Sequence, residues 1–549
     1  MAETAGSTPD RLRTGGDVVV ETLATLGVTH VFGIPGQHAL GLFDAIRRSE
    51  LTFISSRVEN NSAFGADGFS RVTGQVGVLF LSTGPGALTA LGALQEAHAS
   101  AIPLLVITSQ VPRSGIGGTR NGLLHQLDDQ QRSAQNVTKS TVVVRDAAHI
   151  PSAVADAWAL AQTVPAGPTW VEIAQDVLLE PTSVPPVRSS VTSVPPRPPR
   201  AELIVEASVA LAAAARPVIL AGGGVRRSAG GQAALIRLAE ALDAPVVSTV
   251  GGKGAIDFAH PLSAGSWIED RYTTELLEDA DVLLAVGTAL GEVTGNYFSL
   301  APRGQLIQID ADPRVLGSNH PALGIHADAA LALDALASRI AEVDSGTSDR
   351  ARGSRVAADL RKRVEARLAQ QDVAGELGLI SDLRAAIPAD AHTFWDMTIA
   401  GYWAWSAWDP QSGGFHSAQG SGGLGFAFPA AVAAALGCGR RTFAVSGDGG
   451  AMYSIAELAS ARQHDADVTW LIVDDGGYGI LREYMTTAFG HAAATELARP
   501  DFAALVRAFD VPAYEATLET VGATVAQTFR TSGPAVVIVS TVLKMFKPT

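Results

Sequence analysis

The stretch that most restricts this chain is Arg441–Arg482, where two apolar runs, Thr442–Val445 and Val468–Val473, each lead into an acid-and-glycine turn. The turns are Gly447-Asp448-Gly449-Gly450 and Asp474-Asp475-Gly476-Gly477. Between them Ile455, Leu458, Ala459 and Ala461 recur near a 3.6-residue period, with Ser454 placed as a helix cap. The order strand, turn, helix, strand, turn predicts a parallel βαβ unit, whose two turns fall at the carboxyl edge where open α/β sheets take ligands. Asp448 and Asp475 are then expected to be neighbours in space. Two carboxylates beside closely approaching glycine backbones suit Mg2+ and the phosphate oxygens it shares, and free N–H groups at a helix start favour anions. A metal–diphosphate site is one reading. A pair of ordinary βα turns, where Asp and Gly are common, is the other.

At 549 residues the chain exceeds a single core, so two or three domains are expected. Hydrophobic residues make up 47% and charged ones 17%, which describes a folded interior. A net charge of −15 without a basic tract argues against nucleic acid and anionic membrane as partners. Cys438 is the only cysteine, which excludes intrachain disulfides and multi-thiolate zinc and fits a reducing compartment. The twelve histidines form no HExxH pair. Met1–Gly16 carries no apolar signal-peptide core, and the most apolar stretches, Leu203–Gly224 and Phe426–Gly437, are broken by Glu206, Arg216 and Pro429. A soluble, cytoplasmic protein is expected.

From the amino end, a helical pattern over Asp17–Leu26 precedes predicted strands at Thr29–Gly33, Leu51–Ser56, Val76–Leu81 and Pro103–Thr108, with small-residue helix at Ser62–Val72. Prolines 181, 185, 186, 195, 196, 198 and 199 mark residues 181–200 as an extended linker. Strands at Pro217–Gly224, Pro245–Val250, Val282–Gly287 and Gln305–Asp310 follow, then a Ser/Gly-rich and charged helical connector at 343–375. The predicted class is α/β: three doubly wound parallel-sheet domains over residues 1–180, 201–342 and 376–549.

Glu59 follows a strand and opens a helix. On local grounds it is either a solvated acid favoured by the helix dipole or a functional carboxylate. The paired turns GDG…DDGGYG, together with Arg57-Val58-Glu59 and Gly68-Phe69-Ser70-Arg71-Val72-Thr73-Gly74, resemble the thiamine-diphosphate-dependent enzymes of the acetolactate synthase and 2-oxo acid decarboxylase superfamily, which includes benzoylformate decarboxylase. Asp474 and Asp475 stand where that family usually has Asn, and Val58 where it has His. The resemblance implies pyrimidine-binding, central and diphosphate-binding domains. It also implies Mg2+ ligands at Asp448, Asp475 and the Gly477 carbonyl, and a Glu59 that hydrogen-bonds the aminopyrimidine and so promotes formation of the ylid that attacks a 2-oxo acid.

The glycine-rich loop Gly420–Ala431 adds to the match. Leu424, five residues before Pro429, corresponds to the aliphatic residue that wedges the cofactor into its bent form, and the Gly422 carbonyl would receive the cofactor's amino group. Gly449, Gly450, Asp396 and Thr398 correspond to the diphosphate surroundings. For the substrate, the turns carrying Gln37, His38, Ser82, His125 and Gln126, and Ile480 within Gly476–Arg482, are the candidates, with solvated turns as the bland alternative. These segments look like acetolactate synthases in part and like guanidino-oxopentanoate decarboxylases in part. Gln37 and Ser82 replace the Ser and His of benzoylformate decarboxylase, which argues against that activity. The implied reaction is decarboxylation of a 2-oxo acid, with coupling to a second carbonyl or with release of the aldehyde. A non-catalytic cofactor-binding homologue is the alternative from another class. Gly222-Gly223-Gly224 and Asp310-Ala311-Asp312-Pro313 would suit a nucleotide, but the pattern of FAD-binding relatives is missing, so FAD is admitted and not favoured. The family joins Glu59 and Asp448 across a subunit contact, which implies a homodimer at least and points to a homotetramer. Cys438 and the tryptophans 395, 403, 405 and 408 are read as packing.

Overall fold

The computed structural model describes residues 12–188, 194–342 and 352–547. The extreme amino end, the middle of the proline linker and the Ser/Gly-rich start of the connector lie outside the described residues. Three all-parallel sheets are present. The first contains β1 (His30–Gly33), β2 (Thr52–Ser55), β3 (Gly77–Leu81), β4 (Leu104–Gln110), β5 (Thr141–Val144) and β6 (Pro168–Ala174), in the order β2-β1-β3-β4-β6-β5. The second contains β7 (Pro217–Ala221), β8 (Val246–Ser248), β9 (Val282–Val286), β10 (Gln305–Asp310) and β11 (Leu323–His326), in the order β11-β10-β9-β7-β8. The third contains β12 (His392–Trp395), β13 (Gly414–Ser417), β14 (Thr442–Gly447), β15 (Val468–Asp474), β16 (Ala513–Ala516) and β17 (Ala535–Ser540), in the order β13-β12-β14-β15-β17-β16. Strands pair in parallel throughout, and most connections are helical, the β9–β10 and β10–β11 links being loops, so the expected α/β class with three parallel sheets holds.

Burial explains which runs become central strands. In β4, Leu104–Gln110, every residue is buried, as a strand covered on both faces requires. The edge strands β5 and β16 are mostly half-exposed. Helix Gly15–Thr25 starts two residues before the predicted Asp17 because Thr14 and Asp17 form a capping box, the Thr14 N–H donating to Asp17 Oδ2 at 2.8 Å. The predicted strand at Pro217–Gly224 stops at Ala221, since Gly223 already opens a short helix. Between β14 and β15 the expected single helix is two, Asp448–Ser454 and Glu457–Gln463. Ser454 therefore ends the first helix and does not cap one. β14 carries on to Gly447, so the helix begins on the acid itself.

The chain falls into two compact units. One comprises the stretch to Val194 together with Pro429–Gly439 and Ser454–Ala466; the other comprises Pro195–Phe428, Arg440–Tyr453 and Asp467–Thr549. In the first unit the small residues of helix Glu59–Thr73 serve close packing. A Cβ on Gly68 would lie 2.3 Å from the Ala430 carbonyl oxygen. Beside it, Arg71 is buried in an ion pair with Asp67 at 2.5 Å and with Glu96 at 3.2 Å, so this arginine holds the helix against its neighbour. In the second unit Trp395, Trp403, Trp405 and Trp408 are all buried, in keeping with a packing role, and Cys438 in the first is half-buried.

Candidate functional site

In the second unit, the carboxyl ends of β14 and β15 bring Asp448 and Asp475 together. Asp448 is buried; its Oδ1 accepts the Gly449 N–H at 2.9 Å, and its Oδ2 has no partner. Oδ1 of Asp475 is likewise buried and unpartnered. Burial, then the neighbouring acids, push the Asp448 pKa up to about 6, and burial raises that of Asp475. Two facing carboxyls with unmatched buried oxygens are what a hard divalent cation would satisfy. Among the described residues no three acidic, His or Cys side chains could hold a metal ion together. Further ligands would have to be backbone or non-protein oxygens.

Asp474 belongs to a different arrangement. It pairs with Arg499 at 2.6 Å and accepts from the Ser540 hydroxyl at 3.3 Å. The double acid therefore adds one carboxylate to the cluster, and the other is neutralised beside it.

The surrounding residues close in from β12. Asp396 is buried and accepts the Ala427 N–H at 2.9 Å; burial pushes its pKa up to about 6. A Cβ on Gly450 would stand 3.1 Å from Asp396 Oδ2, and one on Gly447 would stand 3.3 Å from the Thr398 methyl. Thr398 Oγ1 caps helix Ile399–Ala407 by accepting the Gly401 N–H at 3.2 Å. Asp396, Thr398, Asp448, Gly449 and Gly450 thus form one cluster. Gly422 sits at φ +72° over the Met397 sulfur, with Leu424 half-buried two residues on. Gly477, at φ +147°, passes so close to the Thr495 carbonyl that a Cβ would lie 1.9 Å from it, so only glycine fits there. Ile480 is half-buried on helix Gly479–Phe489 and packs against the core of this unit.

In the first unit, Glu59 is the first residue of its helix and half-buried. Its Oε1 faces the turn after β3: a Cβ on Gly86 would lie 3.2 Å away. Ser82 lies against both Gly86 and Gly36, and the His38 and His125 rings meet edge to face at 5.3 Å. Ser82 Oγ and Nδ1 of both histidines are buried without partners. Burial, then the facing His125, lower the His38 pKa, which keeps that ring neutral near pH 7. Gln37 is exposed at the rim. The structure thus gathers Glu59, Gln37, His38, Ser82 and His125. Gln126 is occupied elsewhere: its amide donates to the carbonyls of Gly115 at 3.2 Å and Arg120 at 2.8 Å, bracing its own loop.

Two supporting residues carry no local signal in the sequence. Glu457 is buried; its Oε1 accepts the Arg57 N–H at 2.9 Å and the Asn61 amide at 3.1 Å, and Ser460 donates to its Oε2 at 2.6 Å. Nε2 of His464 accepts the Ser55 N–H at 3.1 Å. Both ends of the turn that carries Glu59 are fixed in this way. Beneath the Ser82 turn, Gln130 accepts the Gly84 N–H at 2.8 Å and donates to buried Glu172 at 3.2 Å.

Three family profiles match the chain. They are the thiamine pyrophosphate enzyme N-terminal TPP binding domain over residues 13–133, the central domain over 204–336 and the C-terminal TPP binding domain over 396–539. A probable 2-ketoarginine decarboxylase of Pseudomonas aeruginosa is 34% identical over 512 residues, 91% of this chain and 89% of that protein. The acetolactate synthase isozyme 1 large subunit of Escherichia coli is 30% identical over 528 residues, 92% and 90% of the two chains. An acetolactate synthase large subunit of Mycobacterium tuberculosis is 30% identical over 522 residues, 90% and 82%.

Proposed function

Since the chain belongs to the thiamine pyrophosphate enzymes of the acetolactate synthase and 2-oxo acid decarboxylase superfamily, we propose that it decarboxylates a 2-oxo acid with thiamine diphosphate and Mg2+. The observation that carries the reading is the pair Asp448 and Asp475, with Glu59 retained in the other unit. When bound, thiamine diphosphate would supply a nucleophilic ring carbon for the substrate carbonyl and, in its cationic ring, an acceptor for the electron pair left as CO2 departs.

The chain's own residues do the rest. Asp448, Asp475 and the Gly477 carbonyl hold Mg2+, and Gly449, Gly450, Asp396 and Thr398 surround the diphosphate. Gly422 and Leu424 orient the aminopyrimidine. Glu59 holds a proton at Oε1 against one of its ring nitrogens. Neutral His38, together with His125, Ser82 and Gln37, binds the oxo acid and exchanges protons with it. Ile480 bounds the substrate's apolar side, and Gln126 acts by shaping the loop that ends at His125. FAD is not favoured for the central domain, whose Gly222 and Gly224 pack directly on Gly287, a Cβ on Gly222 lying 2.2 Å from its carbonyl oxygen. A homodimer at least, and a homotetramer by analogy, brings Glu59 of one subunit to its partner's cofactor.

Both outcomes for the product have support. Likeness to acetolactate synthases favours coupling to a second carbonyl, and the 34% identity to a 2-ketoarginine decarboxylase favours release of the aldehyde. Reconstitution with thiamine diphosphate and Mg2+, a panel of 2-oxo acids that includes 2-ketoarginine, and product identification by mass separates them. No CO2 from any acid would overturn the catalytic reading.

A further inference from the structure

The second unit also buries a carboxylate with no cation to balance it. Glu269 is 6% exposed, and its hydrogen bond is to the Tyr297 hydroxyl, which donates to Oε1 at 2.7 Å. Among the described residues it forms no ion pair; burial pushes its pKa up and no basic group opposes that shift. Tyr297 is delivered by a rare backbone: Asn296, Tyr297 and Phe298 run at φ +46°, +54° and +60°, three successive non-glycine residues in the left-handed region. Such conformations persist where their surroundings impose them, and they concentrate at binding sites.

Two more tyrosines complete the cluster. The hydroxyls of Tyr402 and Tyr484 interact with each other, and that of Tyr484 also with Tyr297. Tyr297 and Tyr484 are open to solvent, so aromatic faces lie beside a carboxylate that is covered. Tyr484 is on helix Gly479–Phe489, four residues after Ile480 and on the same face. That helix opens directly behind Asp475–Gly477, and four residues of helix span about 6 Å. The cluster therefore lies one helical turn beyond the substrate boundary proposed above.

We infer that Glu269, Tyr297 and Tyr484 form a subsite for the cationic end, guanidinium or ammonium, of the 2-oxo acid. This rests on the reading of the chain as a 2-oxo acid decarboxylase and names its substrate class. A guanidinium supplies several N–H donors to one carboxylate and to phenolic oxygens, and its flat face stacks on aromatic rings. An apolar end would leave Glu269 buried without a cation, and an anionic end would be repelled. The cation would sit on a flexible methylene chain, long enough to pass Ile480.

The test compares wild type with Glu269→Gln and Tyr297→Phe, after thermal melts and thiamine diphosphate titration show both variants folded and loaded. The substrates are 5-guanidino-2-oxopentanoate, 6-amino-2-oxohexanoate, neutral 2-oxohexanoate and 2-oxoglutarate. Wild type is expected to prefer the cationic acids, and Glu269→Gln to lower the cationic-to-neutral ratio of kcat/KM by about thirty-fold. A smaller loss is expected for Tyr297→Phe. Preference for the neutral or acidic substrate, or an unchanged ratio in Glu269→Gln, overturns the subsite and leaves the decarboxylase reading intact. Calorimetry with 5-guanidinopentanoate, which has no oxo group to react, tests the subsite should wild type release no CO2. Binding lost in Glu269→Gln supports it, and equal or absent binding in wild type and variant overturns it.

Discussion

The first and third sheets have the same strand order when each is numbered from its own first strand, 2-1-3-4-6-5, yet their carboxyl edges are furnished for opposite tasks. The third edge carries paired acids with unmatched oxygens, fit for a cation and phosphates. On the first edge stands Glu59, with two histidines and a serine nearby, fit for moving protons. One topology supplies position, and the residues in the turns decide the chemistry. The edges should therefore fail in different ways when altered.

The largest effect is expected from Glu59→Gln: CO2 release down by roughly 10³-fold or more, with thiamine diphosphate still bound by titration calorimetry. Retained turnover would remove Glu59 from the chemistry. Asp448→Ala should do the reverse, weakening Mg2+-dependent cofactor binding roughly a hundredfold. Next comes Glu457→Ala, which frees the Arg57 and Asn61 donors. It should slow turnover about tenfold and speed hydrogen exchange across residues 52–62 in the cofactor-free protein. Exchange at the wild-type rate would make Glu457 a bystander.

Asp474→Asn is expected to change Mg2+ affinity by less than about threefold, because its charge is spent on Arg499 at the surface of the cluster. A large change would break the distinction between the two adjacent acids. The smallest effect concerns pH. Asp448 lies near 6 in the folded chain against an ordinary value of 3.8, so it favours folding below the latter, and that contribution is lost as pH rises toward 6. The melting-temperature gain on adding Mg2+ and thiamine diphosphate should thus be greater at about pH 7.5 than at about pH 5.5. Equal gains would argue against Asp448 as the ligand.

Much of this arrangement was legible in the residues. Apolar runs ending in glycine turns located β1, β3, β14 and β15, and an apolar run alone located β4, because a buried parallel strand writes itself as a continuous apolar run. Edge strands write weaker signals, and β5, with half its residues partly exposed, and the four-residue β11 are not predicted; the buried β6 and β17, which no glycine turn follows, are not predicted either. The unpartnered oxygens of Asp448 and Asp475 appear where the paired turns placed them. What could not be read were pairings across long stretches of chain. Glu457 resembles any acid in the first turn of a helix, and only the fold sets it under Arg57, 400 residues earlier. Arg499 neutralising Asp474, and Tyr297 reaching Glu269, are hidden for the same reason.

The seam of Glu457 and His464 against the Glu59 turn has a practical consequence for dissecting the molecule. A fragment ending at Val194 would contain all six strands of the first sheet, but the N–H groups of Ser55 and Arg57 would lose their acceptors. The smallest independently useful piece of the amino-terminal half is therefore discontinuous in sequence. Supplying the 454–466 segment in trans, as a separate peptide, would be a route to restoring those two acceptors.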